Sequence, residues 1–406
     1  MNIIYIAYSC NPYNGTEDKL GWEVPKCLSK FNQVVIITKP DGKNSIEREL
    51  QINRYCNIKV VYIDIEEKYK KIYKGPIYSG RLNLWHKKVL AFLDNYIQEN
   101  NVDLIHQINP VEFRSIGNYG KYNDIPFVCG PVGGGEYMPS ILLKYVGHNI
   151  IFEILRYITN IYYRYKYKKN GTFNNIDLLM YANEETKEFV KVDEIISKTL
   201  IMPEIGCDGV NTSVDHKEDA VFSFLFAGRL VYRKGIKLLL KSVLRVPEKY
   251  KFIINIAGSG SELRQMKKMV EKSYKLKNRV FFLGNIKYSE MNRLYERTDM
   301  LIMPSLRETT GSVVIEALAH GIPVLTQNRF GARNILNEET AFFCDLSRKP
   351  ELKLANTIIE CLDNRDKVKA MRNKCVSTAK NFTFERKAQT YQHIYEEIEG
   401  INNEDR

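Results

Sequence analysis

Runs of apolar residues alternate with segments of helical period twice along the chain. In the first half the runs are NIIYIAYS, QVVIITK, IKVVYID, DLIHQIN, IPFVCG and DLLMYAN, and WHKKVLAFLDNYIQEN between the third and fourth is predicted as a helix. In the second half they are VFSFLFAG, KFIINIAG, RVFFLGN, DMLIMPS and IPVLTQN. Helices are predicted between them over GIKLLLKSVLRV, SELRQMKKMVEKSYKLK, SEMNRLYERT and the segment holding Glu316. Apolar runs of strand length separated by helical segments predict parallel sheets covered by helices on both faces. The pattern lapses into turn-forming and acidic residues from Pro203 to Ala220, which marks the junction of two doubly wound α/β domains.

Length agrees with two cores, since 406 residues exceed the roughly 250 to 300 at which single cores stop growing. With 44% hydrophobic and 27% charged residues the chain reads as an ordinary globular protein. The longest uncharged apolar runs fall well short of the ~18 residues a membrane span needs. Met1 leads into NIIYIAYS without a basic leader segment, which points to the cytoplasm. Eight cysteines without a CxxC pair signal neither a zinc site nor a disulfide framework, so most are expected to be reduced core residues. A net charge of +12 invites an anionic partner.

Ligands of open parallel sheets bind at the carboxyl ends of the strands, so the strand-to-helix loops are where chemistry is sought. FAGRLVYRKG presents Gly228, Arg229 and Lys234 before a helix, which suits a diphosphate or is a solvated basic loop. AGSGSEL holds only a GxG, from Gly258 and Gly260, too little for a dinucleotide fingerprint and sufficient for a tight turn. RETTGSVVIEALAHGIPV places Glu308 ahead of a helix of about two and a half to three turns and Glu316 inside it. A carboxylate among VVI and ALA must find donors, either ligand hydroxyls or a basic core partner. GPVGGGEYMP, with Gly133, Gly134 and Glu136, is either a ligand-facing loop or a sharp fold of the chain. The same ambiguity attaches to the first loop, Ser9 to Trp22, around Asn14, Gly15 and Thr16.

Taken in order, AGRLVYRKG, the GxG turn, VFFLGN and PSLRETTGSVVIEALAHGIPV resemble the nucleotide-sugar domain of retaining glycosyltransferases of family 4. NPYNGTE, HQINP and GPVGGGE extend the likeness more loosely into the first half. The resemblance implies the GT-B fold, two Rossmann-like domains facing each other across a cleft. It implies an acceptor-binding domain over 1–205, a nucleotide-sugar domain over 206–385 and a C-terminal helix, 386–406, packing back on the first domain. Arg229 and Lys234 would then contact the donor diphosphate, Glu308 the donor sugar and Glu316 the ribose. Thr309, Thr310, Gly311 and Ser312 would lie against sugar and phosphate, and Gly284, Asn285 and Ile286 against the base, with Gly15, Gly228 and Gly258 lining the donor site.

The chain departs from the family's pattern at Thr310, where many members carry an aromatic residue, and at GPVGGGE, where several carry a histidine that touches the donor sugar. His106 is a candidate to compensate on the acceptor side, with a satisfied core histidine as the other reading. The implied reaction transfers a sugar from a UDP- or GDP-sugar to a glycan or lipid-linked acceptor with retention, as in bacterial surface polysaccharide synthesis. No cofactor and no metal are expected, since Arg229 and Lys234 stand where a cation would be needed. A GT-B-like sugar-nucleotide epimerase and a NAD-dependent oxidoreductase are the rival enzymes. Nucleic acid is not an expected partner, because the lysines are dispersed through the helices. In Asn149 to Lys169, Ile150, Ile151, Ile154, Leu155, Ile158 and Ile161 form one stripe with Glu153, Arg156 and Arg164 opposite. Such a stripe ordinarily faces a core, while its basic, aromatic end allows a peripheral contact with the cell membrane.

Overall fold

The computed structural model describes residues 1–72, 78–192, 195–196, 198–210 and 221–404, so part of the expected junction, 211–220, lies outside the described residues. The chain divides into two compact units. The first comprises Met1–Gly135, Ile158–Gly206 and Phe384–Arg406; the second comprises Glu136–Tyr157 and Cys207–Thr383. The expected continuous domain over 1–205 is therefore interrupted, because 136–157 groups with the second unit.

The first unit is built on seven parallel strands: β1 (Asn2–Ala7), β2 (Gln33–Thr38), β3 (Ile58–Tyr62), β4 (Leu104–Asn109), β5 (Phe127–Val132), β6 (Leu178–Tyr181) and β7 (Thr199–Ile201). Their spatial order is β3-β2-β1-β4-β5-β6-β7. Ile4 of β1 sits opposite Val35 on one side and Ile105 on the other. Alternate residues of a strand face opposite sides of a sheet. Ile4, Ile6 and Tyr8 accordingly join one apolar layer with Trp85, Val89 and Leu93. Ile3, Tyr5 and Ala7 join the other, with Trp22, Tyr391 and Tyr395. The last two belong to the Phe384–Glu404 helix, whose apolar side is thus part of this unit's core.

The second unit holds six parallel strands: β8 (Phe222–Ala227), β9 (Phe252–Ala257), β10 (Val280–Gly284), β11 (Met300–Met303), β12 (Val324–Thr326) and β13 (Ala341–Phe343). Their order is β10-β9-β8-β11-β12-β13. In both units chain order reverses at one internal pair, β1 with β4 and β8 with β11, and ligands of such sheets bind at that switch point.

Each apolar run named above contains a strand. The strands β7 and β13, three residues each, lie outside the apolar runs that were read, whereas the equally short β12 falls within IPVLTQN. The helix expected from Trp85 starts earlier, at Tyr78. Half of the expected first loop is helical, Thr16–Leu28. The helix expected across Ser261 to Lys277 is two, Leu263–Glu271 and Tyr274–Lys277, because the Ser273 hydroxyl accepts from the Leu276 amide at 3.4 Å and starts a new cap. All eight cysteines are free, and all but Cys56 are buried.

Candidate functional site

The second unit brings its strand-to-helix loops together at the β8/β11 switch point. After β8 the chain makes a short turn, Tyr232–Lys234, and enters the Ile236–Val243 helix through Gly235. After β11, Leu306 and Arg307 return to it, both amides donating to the Arg233 carbonyl at 2.7 and 3.4 Å. That backbone contact sets Glu308 directly against the basic turn. The Glu308 carboxylate accepts from Arg233 Nη1 at 3.1 Å and pairs with Lys234 Nζ. Glu308 is 7% exposed. Burial works to raise its pKa, yet the Lys234 and Arg233 charges prevail and hold it down to about 2. Arg229 is exposed on the same loop. Two cations thus share one carboxylate, with Arg229 exposed on the same loop, and the excess positive charge suits a polyanion.

A second carboxylate braces this arrangement from behind. Glu153, on the Ile150–Lys169 helix, accepts from Arg307 Nε at 3.1 Å and Nη2 at 2.9 Å. It also accepts from the Tyr232 hydroxyl at 2.7 Å. Burial acts to raise the Glu153 pKa, and the hydrogen bond and charge of Arg307 outweigh it and lower it. Arg307 and Tyr232 immediately precede Glu308 and Arg233 in the two loops, so one side chain fixes the entry to both. Sequence reasoning missed Arg233, Arg307, Tyr232 and Glu153. Arg233 and Arg307 are adjacent to residues that were singled out; no signal in the sequence connects Glu153 to a loop 154 positions away.

Beyond Glu308 the chain turns through Gly311, whose φ of 92° a side chain would strain, into the Ser312–Ala319 helix. Val314, Ile315, Ala317 and Leu318 are buried, while Ser312, Val313 and Glu316 lie on the half-buried side. Glu316 thus occupies the half-buried side of the helix. It has no basic core partner among its described contacts and instead accepts from the Tyr295 hydroxyl at 2.9 Å. Tyr295 is stacked on His320 with ring centroids 4.6 Å apart, so the acceptor geometry at Glu316 is held by a packed pair. The helix spans eight residues, shorter than expected, and Thr309 and Thr310 pack on the Gly331 segment. The Gly331 amide donates to the Thr309 carbonyl at 2.6 Å.

The GxG turn meets the β8 loop backbone to backbone. A Cβ at Gly258 would sit 1.9 Å from the Gly228 carbonyl oxygen, and one at Gly260 2.4 Å from that of Leu230. These glycines are accounted for by loop packing, the plainer of the two readings. Gly284, Asn285 and Ile286 form an open loop at the end of β10, with Asn285 exposed. The Gly284 carbonyl accepts from the Gly258 amide at 2.7 Å, which chains the loops of β8, β9 and β10 into one rim.

In the first unit the corresponding switch point is tied by Asn109. Its side chain accepts from the Ser9 amide at 2.9 Å and donates to the Ser9 carbonyl at 2.7 Å, joining the loops after β1 and β4. Gly15 is exposed at the start of the Thr16–Leu28 helix. His106 does not reach any loop. It is fully buried in β4, with Nε2 2.6 Å from the Gly130 carbonyl and Nδ1 2.6 Å from the Tyr395 hydroxyl. A carbonyl only accepts, so Nε2 carries the proton and Tyr395 donates to Nδ1, leaving Tyr5 to donate to Tyr395 at 2.9 Å. Burial lowers the His106 pKa to about 4 against the opposing bond to Gly130, and the ring is a neutral core element rather than an acceptor-side group. Gly133 and Gly134 are likewise used internally: their carbonyls accept from the Phe113 amide at 3.0 Å and the Asn160 amide group at 2.8 Å. Glu136 is buried and lies with the second unit, where Arg156 donates to its carbonyl. A concavity of about 470 Å³ lined by Asn101, Asp103 and Asp124 lies before β4 and β5, at the amino ends of the strands, away from all these loops. Among the described residues no three His, Cys, Asp or Glu side chains gather as metal ligands would.

Residues 213–382 match the model of glycosyl transferases group 1. An uncharacterized glycosyltransferase of Methanocaldococcus jannaschii is 33% identical over 115 residues, 28% of this chain and 29% of that protein. The alpha-monoglucosyldiacylglycerol synthase of Streptococcus pneumoniae is 26% identical over 190 residues, 43% of this chain and 42% of that protein. The chain thus spans less than half the length of these two relatives. Among solved structures, Anabaena HepE in complex with UDP superposes with a TM-score of 0.62 over 98% of this chain and 100% of its own, at 15% identity. The sucrose-phosphate synthase of Thermosynechococcus elongatus gives 0.65 over 98% of each chain at 17% identity. The match to glycosyl transferases group 1 falls within the second unit, and the two Rossmann-like units have the GT-B fold of these structures.

Proposed function

We propose that the chain is a retaining glycosyltransferase of family 4 that moves a sugar from a UDP- or GDP-sugar to a glycan or lipid-linked acceptor without a metal. The observation that carries this is the Glu308 carboxylate held between Arg233 and Lys234 at the β8/β11 switch point, with Arg229 exposed on the same loop and Glu316 half-buried on the following helix. Arg229 and Lys234 face the diphosphate and stabilise the negative charge that grows as it leaves. Arg233, which sequence reasoning passed over, shares Glu308 with Lys234 and belongs to the same group. Glu308 is oriented by these cations to accept from hydroxyls of the donor sugar, and Glu316 accepts from the ribose. Gly284, Asn285 and Ile286 border the base.

In the step, the acceptor oxygen bonds to the anomeric carbon as the bond from that carbon to the phosphate oxygen breaks. The acceptor proton passes to the departing phosphate, and the nucleoside diphosphate is released. Attack and departure on one face give retention and ask no nucleophile of the protein. A lipid acceptor is in keeping with the likeness to the alpha-monoglucosyldiacylglycerol synthase.

The test is a thermal-shift and calorimetry panel of UDP, GDP and their sugars, since a ligand of the folded state raises its stability by mass action. One nucleoside diphosphate and its sugar should raise Tm and bind, and NMR of the product should show the donor's anomeric configuration kept. Binding of neither nucleotide, or a product in which a free sugar nucleotide has only been epimerised, overturns the reading.

A further inference from the structure

The Ile150–Lys169 helix is inside out. Four of its polar residues face the protein: Glu153 holds Arg307 and Tyr232, Arg156 donates to the Glu136 carbonyl, Asn160 to that of Gly134 at 2.8 Å and Arg164 to that of Phe189 at 2.9 Å. Apart from Tyr163 and Tyr167, which are buried in the first unit's core, its apolar residues face outward. Ile151, Ile154, Ile158, Tyr162 and Tyr165 recur at intervals of three and four and are between 52% and 65% exposed, with Phe152 alongside at 51%. The expectation that this stripe faces a core is thereby corrected. The stripe runs for about 21 Å at 1.5 Å per residue, and a face of that extent in water is a standing cost unless something covers it.

We infer that this face docks on the interface of an anionic lipid bilayer. Charge decides the occupant. The helix carries one acidic side chain, Glu153, and that one is turned inward onto Arg307; its other charged residues, Arg156, Arg164, Lys166, Lys168 and Lys169, are all basic, with Lys168 and Lys169 exposed. A second copy of the helix would bring like charges together with no acid on the face to meet them. An anionic headgroup layer meets the lysines while its acyl boundary takes the isoleucines, and tyrosines suit the level between. Among the described residues no helix is long and apolar enough to cross a membrane, so the contact is in the plane of the surface. This rests on the lipid-linked acceptor of the proposed reaction, yet vesicle binding needs neither donor nor acceptor and so can fail or succeed independently of transfer.

The experiment is flotation of the full chain with vesicles of phosphatidylcholine alone and of phosphatidylcholine mixed with phosphatidylglycerol. Wild type should float with the mixed vesicles and be released by salt. Ile158→Glu should lower the bound fraction at least about tenfold, since one buried isoleucine side chain contributes that much or more. Its melting temperature and its calorimetric binding of the nucleoside diphosphate should be unchanged. Lys168→Gln with Lys169→Gln should remove most of the salt-sensitive part. The proposal is overturned if wild type binds neither vesicle, or if Ile158→Glu binds as wild type does. It is equally overturned if wild type sediments as a dimer that Ile158→Glu converts to monomer, in which case a second copy covers the face.

Discussion

Replacing Glu308 by Gln keeps the shape of the side chain and removes the one charge that Arg233 and Lys234 share. The folded-state pKa of this carboxyl is about 2, against an ordinary 4.5. At 1.36 kcal/mol per unit the charge contributes about 3 kcal/mol to folding at neutral pH. Because the folded value is the depressed one, that contribution is complete above the unfolded value of 4.5 and is lost as pH falls through about 2. Urea unfolding of wild type and Glu308→Gln across that range should therefore show a gap of about 3 kcal/mol at pH 7 that narrows steadily below pH 4.5. A second readout separates stability from chemistry. The variant leaves the cations unneutralised, so calorimetry should find the nucleoside diphosphate bound at least as tightly as by wild type, while kcat for transfer falls. A stability gap under about 1 kcal/mol, or one that does not change with pH, would refute the clamp, because an exposed pair contributes no more than that. Weakened nucleotide binding would refute the assignment of Glu308 to the sugar.

Glu316→Gln should do the reverse, weakening nucleoside diphosphate binding in calorimetry with a smaller effect on kcat at saturating donor. Lys234→Ala should lower kcat on the order of a hundredfold, as for loss of one preorganised donor to a developing charge, and wild-type turnover should be unchanged in excess EDTA. Glu153→Ala strips Arg307 of its buried partner and should cost about 3 to 5 kcal/mol in chemical denaturation. Replacing Arg307 by Met in that background should recover part of the loss, since no buried charge is then left unpaired.

What could be read from the chain follows what is local. Strands inside long, mainly apolar runs were legible, including the three-residue β12 within IPVLTQN; β7 and β13 are as short and were not read. Lys234, Glu308 and Glu316 were legible because their loops follow such strands. The partners that fix them were not: Arg233 meets Glu308 across 75 positions and Glu153 meets Arg307 across 154, and only tertiary packing brings those segments together. His106 attracted attention as a lone histidine at a strand end. Its partners, Tyr395 and Gly130, show a core residue whose hydrogen bonds cross 289 and 24 positions. The Ile150–Lys169 helix misled in the opposite sense, since periodicity identifies an apolar side without saying whether protein or something else lies against it.

The Phe384–Glu404 helix has a consequence for the order in which the molecule can be made. The second unit needs nothing beyond Thr383, whereas the first awaits Tyr391 and Tyr395 to close the apolar layer over Tyr5 and to supply the hydroxyl that His106 accepts from. During synthesis from the amino terminus, the unit that begins first is thus the last to be completed. Until then the layer over β1 and β4 is covered only in part, by Trp22 and its helix, and the His106 ring lacks its donor. A fragment ending at Gly206 would share that condition permanently, so the first unit is a product of both ends of the polypeptide and not a module that can be cut at the junction.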